Sequence, residues 1–183
     1  MIRLISGGSA SGKSAYAEKL VCELYEATDE PKRLIYLATM RADCDEAGAR
    51  IERHRKQREG KGFETLEYGE GESLSMVDKD AVVLLEDLSN MLTVNMFCSD
   101  GSVNNDADAE VMDDISRLYN KCRELVIVTN DIFSDGTDYD EITEKYRKKL
   151  AGLNKKIAEM AGGVTEVIAG VPIEHRVALG DSR

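Results

Sequence analysis

Short apolar runs alternate along this chain with stretches whose apolar residues recur at helical spacing. Ile2, Leu4 and Ile5 make the first run, and Ala17, Leu20, Val21 and Leu24 follow as the stripe of a helix. After Pro31, Leu34-Ile35-Tyr36-Leu37-Ala38-Thr39 reads as a buried strand. A charged segment from about Asp43 to Arg58 predicts a helix ended by Gly60 and Gly62. Phe63 to Tyr68 alternates as an edge strand does, and Gly69 to Asp80 is a polar, glycine-containing connection. Ala81-Val82-Val83-Leu84-Leu85-Glu86 predicts a strand buried on both faces, followed by an apolar helix near Leu88 to Phe97. Ser99 to Asp108, rich in Asp, Asn, Ser and Gly, predicts an exposed loop. Val111, Ile115, Leu118, Tyr119 and Cys122 then mark a helix, and Leu125 to Thr129 a buried strand. Ile142, Tyr146, Leu150, Leu153, Ile157 and Met160 mark a long amphipathic helix. Val164 to Ala169 is the last strand predicted, and Val177 to Arg183 reads as a loose tail.

Nearly all-apolar strands alternating with helices predict an α/β fold with a mainly parallel sheet, in one domain over residues 1–176. Ligands in such folds sit at the carboxyl ends of the strands, which places Thr39, Glu86 and Asn130 along one edge. The turn after the first strand gives that edge its chemistry. Gly7-Gly8-Ser9-Ala10-Ser11-Gly12-Lys13-Ser14 fills every fixed position of a phosphate-binding loop, between a strand and a helix as that loop requires. Its glycines let backbone N–H groups curl around a phosphate, and the helix N-terminus adds partial positive charge. Lys13 is placed to reach the β and γ phosphates, and Ser14 to ligate Mg²⁺. The fold expected is therefore of the P-loop NTPase type, binding a nucleoside triphosphate. Glu86 is the expected metal-side acid at the end of its strand, while Asp87 fits a helix N-cap better.

Charge narrows the partners. With 24 basic against 35 acidic residues, the net charge of −11 argues against general nucleic-acid binding. Cys22, Cys44, Cys98 and Cys122 form no CxxC pair and read as free thiols of a reducing compartment. No run reaches the roughly 18 apolar residues that mark a membrane span, so a cytoplasmic protein is expected. Against this acidic background Glu46, Arg50, His54 and Arg58 fall four apart, on one helical face, with Arg55 and Lys56 beside them. Neighbouring positive charge favours a neutral imidazole able to attack phosphorus, and the arginines could hold a triphosphate. By spacing alone, a solvated charged face is the commoner source of such a pattern. His175, between Glu174 and Arg176, reads as structural or incidental, and the acidic stretch from Asp100 to Asp114 lacks the spacing of a calcium loop.

The ordered motifs resemble those of the adenosylcobinamide kinase/adenosylcobinamide-phosphate guanylyltransferase family. They run from the phosphate loop and its Tyr16-Ala17-Glu18 through Tyr36-Leu37-Ala38-Thr39, then Arg50-Ile51 with His54-Arg55 and Arg58. Phe63, Thr65 and Glu67, Leu84-Leu85-Glu86, the Thr93/Asn95 region, Val128-Thr129-Asn130 and Gly152-Leu153-Asn154 complete the set. The resemblance implies phosphorylation of the aminopropanol hydroxyl of adenosylcobinamide, then guanylylation of a histidine by GTP and transfer of GMP to the cobinamide phosphate. That histidine falls on His54, which shifts the reading of the charged face toward catalysis by His54 together with Lys13. Nucleotide contacts fall on Gly7, Gly8, Ser9, Ala10, Ser11, Gly12, Lys13, Ser14, Ala38, Thr39, Arg55, Arg58, Glu67 and Glu86, with Mg²⁺ at Ser14 and Glu86. The resemblance further implies GTP and ATP as substrates, a corrinoid acceptor and a homotrimer.

The chain departs from the family pattern in places. Ala10 stands where the family has an arginine, Glu59 where it has a proline, Phe63 where it has a tryptophan, and Lys155 where it has a glutamine. After Asn130 the family's Glu-Val-Gly is replaced by Asp131-Ile132-Phe133, with Gly136 further on. These later positions bear on the acceptor or on assembly more than on the nucleotide. Two other readings stay open from sequence: a P-loop kinase for another hydroxyl substrate without guanylyl transfer, and a GTP-binding regulatory module. The second lacks an Asn-Lys-x-Asp guanine-reading motif, since Thr129-Asn130-Asp131 does not supply one.

Overall fold

The computed structural model describes residues 1–27, 33–40, 52, 56, 58–69, 73–133 and 136–176. They form one seven-stranded sheet flanked by four helices. In chain order these are β1 (Ile2–Ser6), α1 (Lys13–Glu26), β2 (Leu34–Ala38), β3 (Glu64–Glu67), β4 (Val82–Glu86), α2 (Leu88–Met96), α3 (Ala107–Lys121), β5 (Glu124–Val128), α4 (Glu141–Met160), β6 (Gly163–Ile168) and β7 (Val171–Arg176). The sheet order is β3-β2-β4-β5-β1-β6-β7. All neighbours are parallel except β6 and β7.

The apolar strands are explained by burial on both faces. Along β4, Val82 and Leu84 pack on the α1 side with Ala17 and Val21, whereas Val83 and Leu85 face the larger core with α2, α3 and α4. Each such Val or Leu contributes roughly 1.5–3 kcal/mol on full burial. α1 lies across β4 and β5, so its first turn reaches the carboxyl end of β4 although β5 stands between β4 and β1. On α4 the predicted stripe holds at Leu150, Leu153 and Ile157, while Ile142 and Met160 at its ends are exposed. Asp140 starts that helix by accepting the N–H groups of Ile142 and Thr143 at 3.0 Å.

Several boundaries differ from the sequence expectation. The segment after Phe97 is short and tied down: Cys98 N–H donates to the Ser102 carbonyl and Asn104 N–H to that of Met96. α3 already begins at buried Ala107, so Asp108 is helical rather than part of the predicted loop. Between β3 and β4 the polar connection contains a 3-10 helix, Ser73–Met76. Beyond β6 the chain turns at Ala169 and Gly170, both at positive φ (49° and 82°), and returns as β7. This two-residue turn with left-handed torsions matches the hairpin geometry. β7 escaped prediction because it is exposed throughout and carries Pro172, which an edge strand tolerates and an inner strand does not. His175 pairs across this hairpin with Glu166 at 3.0 Å.

The predicted helix from Asp43 to Arg58 lies mostly outside the described residues, which include helical Glu52, Lys56 and Arg58. Gly60 and Gly62 follow it at positive φ, and Lys61 between them bonds the buried Glu18 carboxylate of α1 at 2.6 Å. Among the described residues, no helix is long and apolar enough to cross a membrane.

Tyr68 just beyond β3 links three elements. Its N–H donates to the Ala38 carbonyl, its hydroxyl donates to Asp114 on α3 at 2.8 Å, and it accepts from Asn95 on α2 at 2.7 Å. Removing the hydroxyl takes a donor from Asp114 Oδ2 and one of two acceptors from Asn95 Nδ2, which keeps its bond to the Met91 carbonyl. Tyr68→Phe should therefore lower stability by about 1–2 kcal/mol in urea denaturation with unchanged denaturant slope; an unchanged midpoint would show this junction to be energetically silent.

Candidate active site

The phosphate loop is seated on the β6–β7 hairpin. A Cβ on Gly7 would stand 2.6 Å from the Val167 carbonyl oxygen, so only glycine fits against β6 there. Gly12 has φ 91°, and a Cβ on it would stand 3.2 Å from the Gly170 Cα. Gly170 N–H in turn donates to the Ser11 carbonyl at 2.7 Å. Ala10 takes a left-handed φ of 55° without being glycine. Gly8 accepts from the Ser11 N–H at 3.3 Å and from Lys13 Nζ at 3.1 Å. Lys13, only 7% exposed, is thus folded back onto the loop.

The facing wall is the end of β4. Ser14 Oγ donates to Glu86 Oε1 at 2.5 Å, joining the first turn of α1 to that strand. Burial, opposed by this bond, lifts the Glu86 carboxyl from 4.5 to about 7. Asp87 is the N-cap of α2, accepting the Asn90 N–H at 2.8 Å, as expected from sequence. Thr39 lies within the cleft, but its hydroxyl is engaged at 2.8 Å from the Glu86 and Asp87 carbonyl oxygens. Its observed part is to pin the β4–α2 turn against β2. Asn130, after β5, donates through Nδ2 to Asp87 Oδ2 at 3.1 Å and to Ser89 Oγ at 2.6 Å. Thr129 beside it donates to Asn154 Oδ1 on α4 at 2.8 Å, which brings two separate sequence motifs together.

Between these walls is a cleft of about 610 Å³. Ser9, Ala10, Ser11, Gly12, Lys13, Ser14, Ala38, Thr39, Arg58, Glu67 and Glu86, eleven of the expected residues, line it. Gly7 and Gly8 shape the loop from behind. His54 and Arg55, with Glu46 and Arg50, lie outside the described residues. Tyr36 and Asn90 also line the cleft and were not foreseen. Tyr36 read as one more apolar strand position, and its place in the Tyr36–Thr39 motif was the signal that could have flagged it.

The polar atoms left without partners gather here. Among the described residues, the buried side-chain nitrogens and oxygens with no hydrogen bond are Ser11 Oγ, Arg58 Nε and Nη1, and Glu86 Oε2. All three residues border the one cleft. Buried polar groups are normally paired, and each unmet one costs about 1–3 kcal/mol. Ser11 and Arg58 present donors, as an oxyanion requires. Glu86 presents a hard oxygen beside the Ser14 hydroxyl, a donor set suited to Mg²⁺.

Two outcomes are expected. The raised Glu86 pKa favours the protonated carboxyl in the fold, so its contribution to stability is complete below about pH 4.5 and is lost as pH rises through 7. Glu86→Gln should hence melt higher than wild type at pH 8 in chelator, with the gap closing toward pH 5; a gap independent of pH would refute this. Gly170→Val forces a β-branched residue into positive φ beneath the loop. It should weaken nucleoside triphosphate binding about tenfold in fluorescence titration, and wild-type affinity would show that the loop holds its shape unaided.

Residues 3–175 match the family described as CobU, cobinamide kinase / cobinamide phosphate guanyltransferase. The chain is 27% identical over 186 residues to the bifunctional adenosylcobalamin biosynthesis protein CobU of Escherichia coli K12, spanning 95% of this chain and 99% of that one. It is likewise 27% identical over 188 residues to CobU of Salmonella typhimurium LT2, with 95% and 99% covered. To the bifunctional adenosylcobalamin biosynthesis protein CobP of Pseudomonas aeruginosa PAO1 it is 28% identical over 172 residues, with 93% and 94% covered. A solved protein of Pyrococcus horikoshii OT3 shares the fold at a TM-score of 0.50 and 11% identity, covering 98% of this chain and 88% of that one. The phosphate loop, the acid at the end of β4 and a match over nearly the whole length lead to one assignment: this chain belongs to the cobinamide kinase / cobinamide phosphate guanyltransferase family, whose members are kinases and nucleotidyltransferases.

Proposed function

We propose that the cleft binds the nucleoside triphosphate for both family reactions, and that His54 carries the guanylyl group in the second. The observation that carries this reading is the clustering of unpartnered Ser11, Arg58 and Glu86 atoms around one cavity at the phosphate loop. A triphosphate supplies acceptors to the first two. The oxygens of Ser14 and Glu86 would hold Mg²⁺, which when bound withdraws charge from the phosphate oxygens.

In the kinase step, with ATP or GTP as donor, the loop amides from Gly7 to Ser14 and Lys13 hold the β and γ phosphates. The acceptor hydroxyl oxygen bonds to the γ-phosphorus as the bond to the departing diphosphate breaks, and the hydroxyl proton is released. Arg58, joined by Arg55, takes charge that builds on the transferring group. Ala38, Thr39 and Glu67 complete the nucleotide's surroundings. In the transferase step a neutral His54 ring nitrogen attacks the α-phosphorus of GTP, and the bond to pyrophosphate breaks. An oxygen of cobinamide phosphate then attacks the same phosphorus, breaking the N–P bond and restoring the histidine. Asn90, Asn130 and Ile132 also line the cleft and would be available to the acceptor.

Incubation with Mg²⁺ and α-labelled GTP, followed by denaturation, tests the proposal. Label stable to base, released by acid and absent in His54→Ala is expected, with GTP affinity of that variant within about threefold of wild type. No label in protein that binds GTP and still transfers γ-phosphate to cobinamide would remove the transferase half. Loss of binding in His54→Ala as great as the loss of label would make the histidine structural.

A further inference from the structure

Arg58 is held in an unusual way. Its guanidinium carbon lies 3.4 Å from the centroid of the Tyr36 ring, and the residue is only 8% exposed. Tyr36 stands in the middle of β2, itself 5% exposed, with Phe63 edge-on to it at 6.2 Å and 85°. A buried guanidinium is ordinarily secured through its in-plane N–H groups, by a carboxylate fork. Here Nε and Nη1 have no hydrogen-bond partner among the described residues. The ring secures the cation by its face, where the π system is negative, and makes no use of the N–H edge. Burial and the Glu86 charge push the Tyr36 hydroxyl well above its usual range, so the ring stays neutral.

We propose that Tyr36 is a positioning residue for nucleotide binding: it holds Arg58 by the face so that the guanidinium edge remains available to the triphosphate. This rests on the nucleotide site proposed above and adds a specific requirement to it. A carboxylate at the same place would fix Arg58 equally well but would occupy the donors that the phosphate needs. Phe63, packed edge-on, keeps the platform from turning. The arrangement also requires arginine, because the ammonium of lysine has no planar edge to offer once its face is stacked.

The test is titration of the full chain with a fluorescent GTP analogue, alongside the matching nucleoside without phosphates. Tyr36→Phe should bind within twofold of wild type, and Tyr36→Leu about 3- to 30-fold more weakly, the range of a desolvated cation–π contact. Binding of the nucleoside should not change in either. Tyr36→Leu combined with Arg58→Ala should bind no more weakly than Arg58→Ala alone. Because Tyr36→Leu could damage the core, phenylalanines of increasing fluorination at position 36 provide a series of nearly constant shape. Affinity should fall stepwise as fluorine depletes the ring face. A flat series, an additive double variant, or an Arg58→Ala protein with wild-type affinity would each overturn the proposal. These readouts are independent of the covalent label: a stepwise series without label at His54 would leave Tyr36 in its role and remove the transferase chemistry, whereas wild-type protein that binds no GTP would end both.

Discussion

The hydrogen bond from Ser14 to Glu86 ties together parts of the chain that the sheet keeps apart. β1 leads into the phosphate loop, β4 ends in Glu86, and β5 lies between them. The bond can form only because α1 crosses back over β5 and β4 as it leaves the loop. One oxygen of the buried carboxylate is thereby fixed while the other is buried without a hydrogen-bond partner. A carboxylate so placed is costly to the empty protein and apt for a site that takes up a cation with its substrate.

Around that bond the turn after β4 is braced from several directions. Thr39 pins it from β2, while Asn130 reaches Asp87 and Ser89 from the end of β5. Tyr146 of α4 donates to the Ser89 carbonyl at 2.9 Å. The motif residues that contact no cleft atom of their own, such as Asn154 beneath Thr129, belong to the same scaffold. The departures after Asn130 fall just beyond it: Asp131 and Ile132 line the cleft, and the Ile132 and Phe133 carbonyls accept from Arg147 of α4 at 3.3 Å. This chain thus holds its own version of that segment by main-chain contacts, which depend little on which side chains are present.

The strands of the inner sheet were legible because burial on both faces demands unbroken apolar runs, and the phosphate loop because its glycines answer to backbone geometry. β7 was not legible, since an exposed edge strand needs neither an apolar pattern nor freedom from proline. Its turn was hidden as well, with Ala169 taking the left-handed torsion that Asn or Gly usually announces. Arg58 was found through its motif, but not its environment. A cation stacked on Tyr36 depends on β2 and the residues before β3 meeting in space, and no spacing in the sequence encodes that meeting. Asp87 could be read as a cap beforehand because the residue that opens a helix must accept its first N–H groups.

The contact between Gly170 and Ser11 has a temporal consequence. The phosphate loop is synthesised before β6 and the β6–β7 turn, from which its seat is made. A chain carrying only β1 through α4 has the loop's sequence without the surface that Gly7 and Gly12 press against. Chains of this size are prone to populate partly folded species as they are made, and such a species would lack the surface on which the loop is seated. The seat of the loop is therefore completed only together with closure of the sheet.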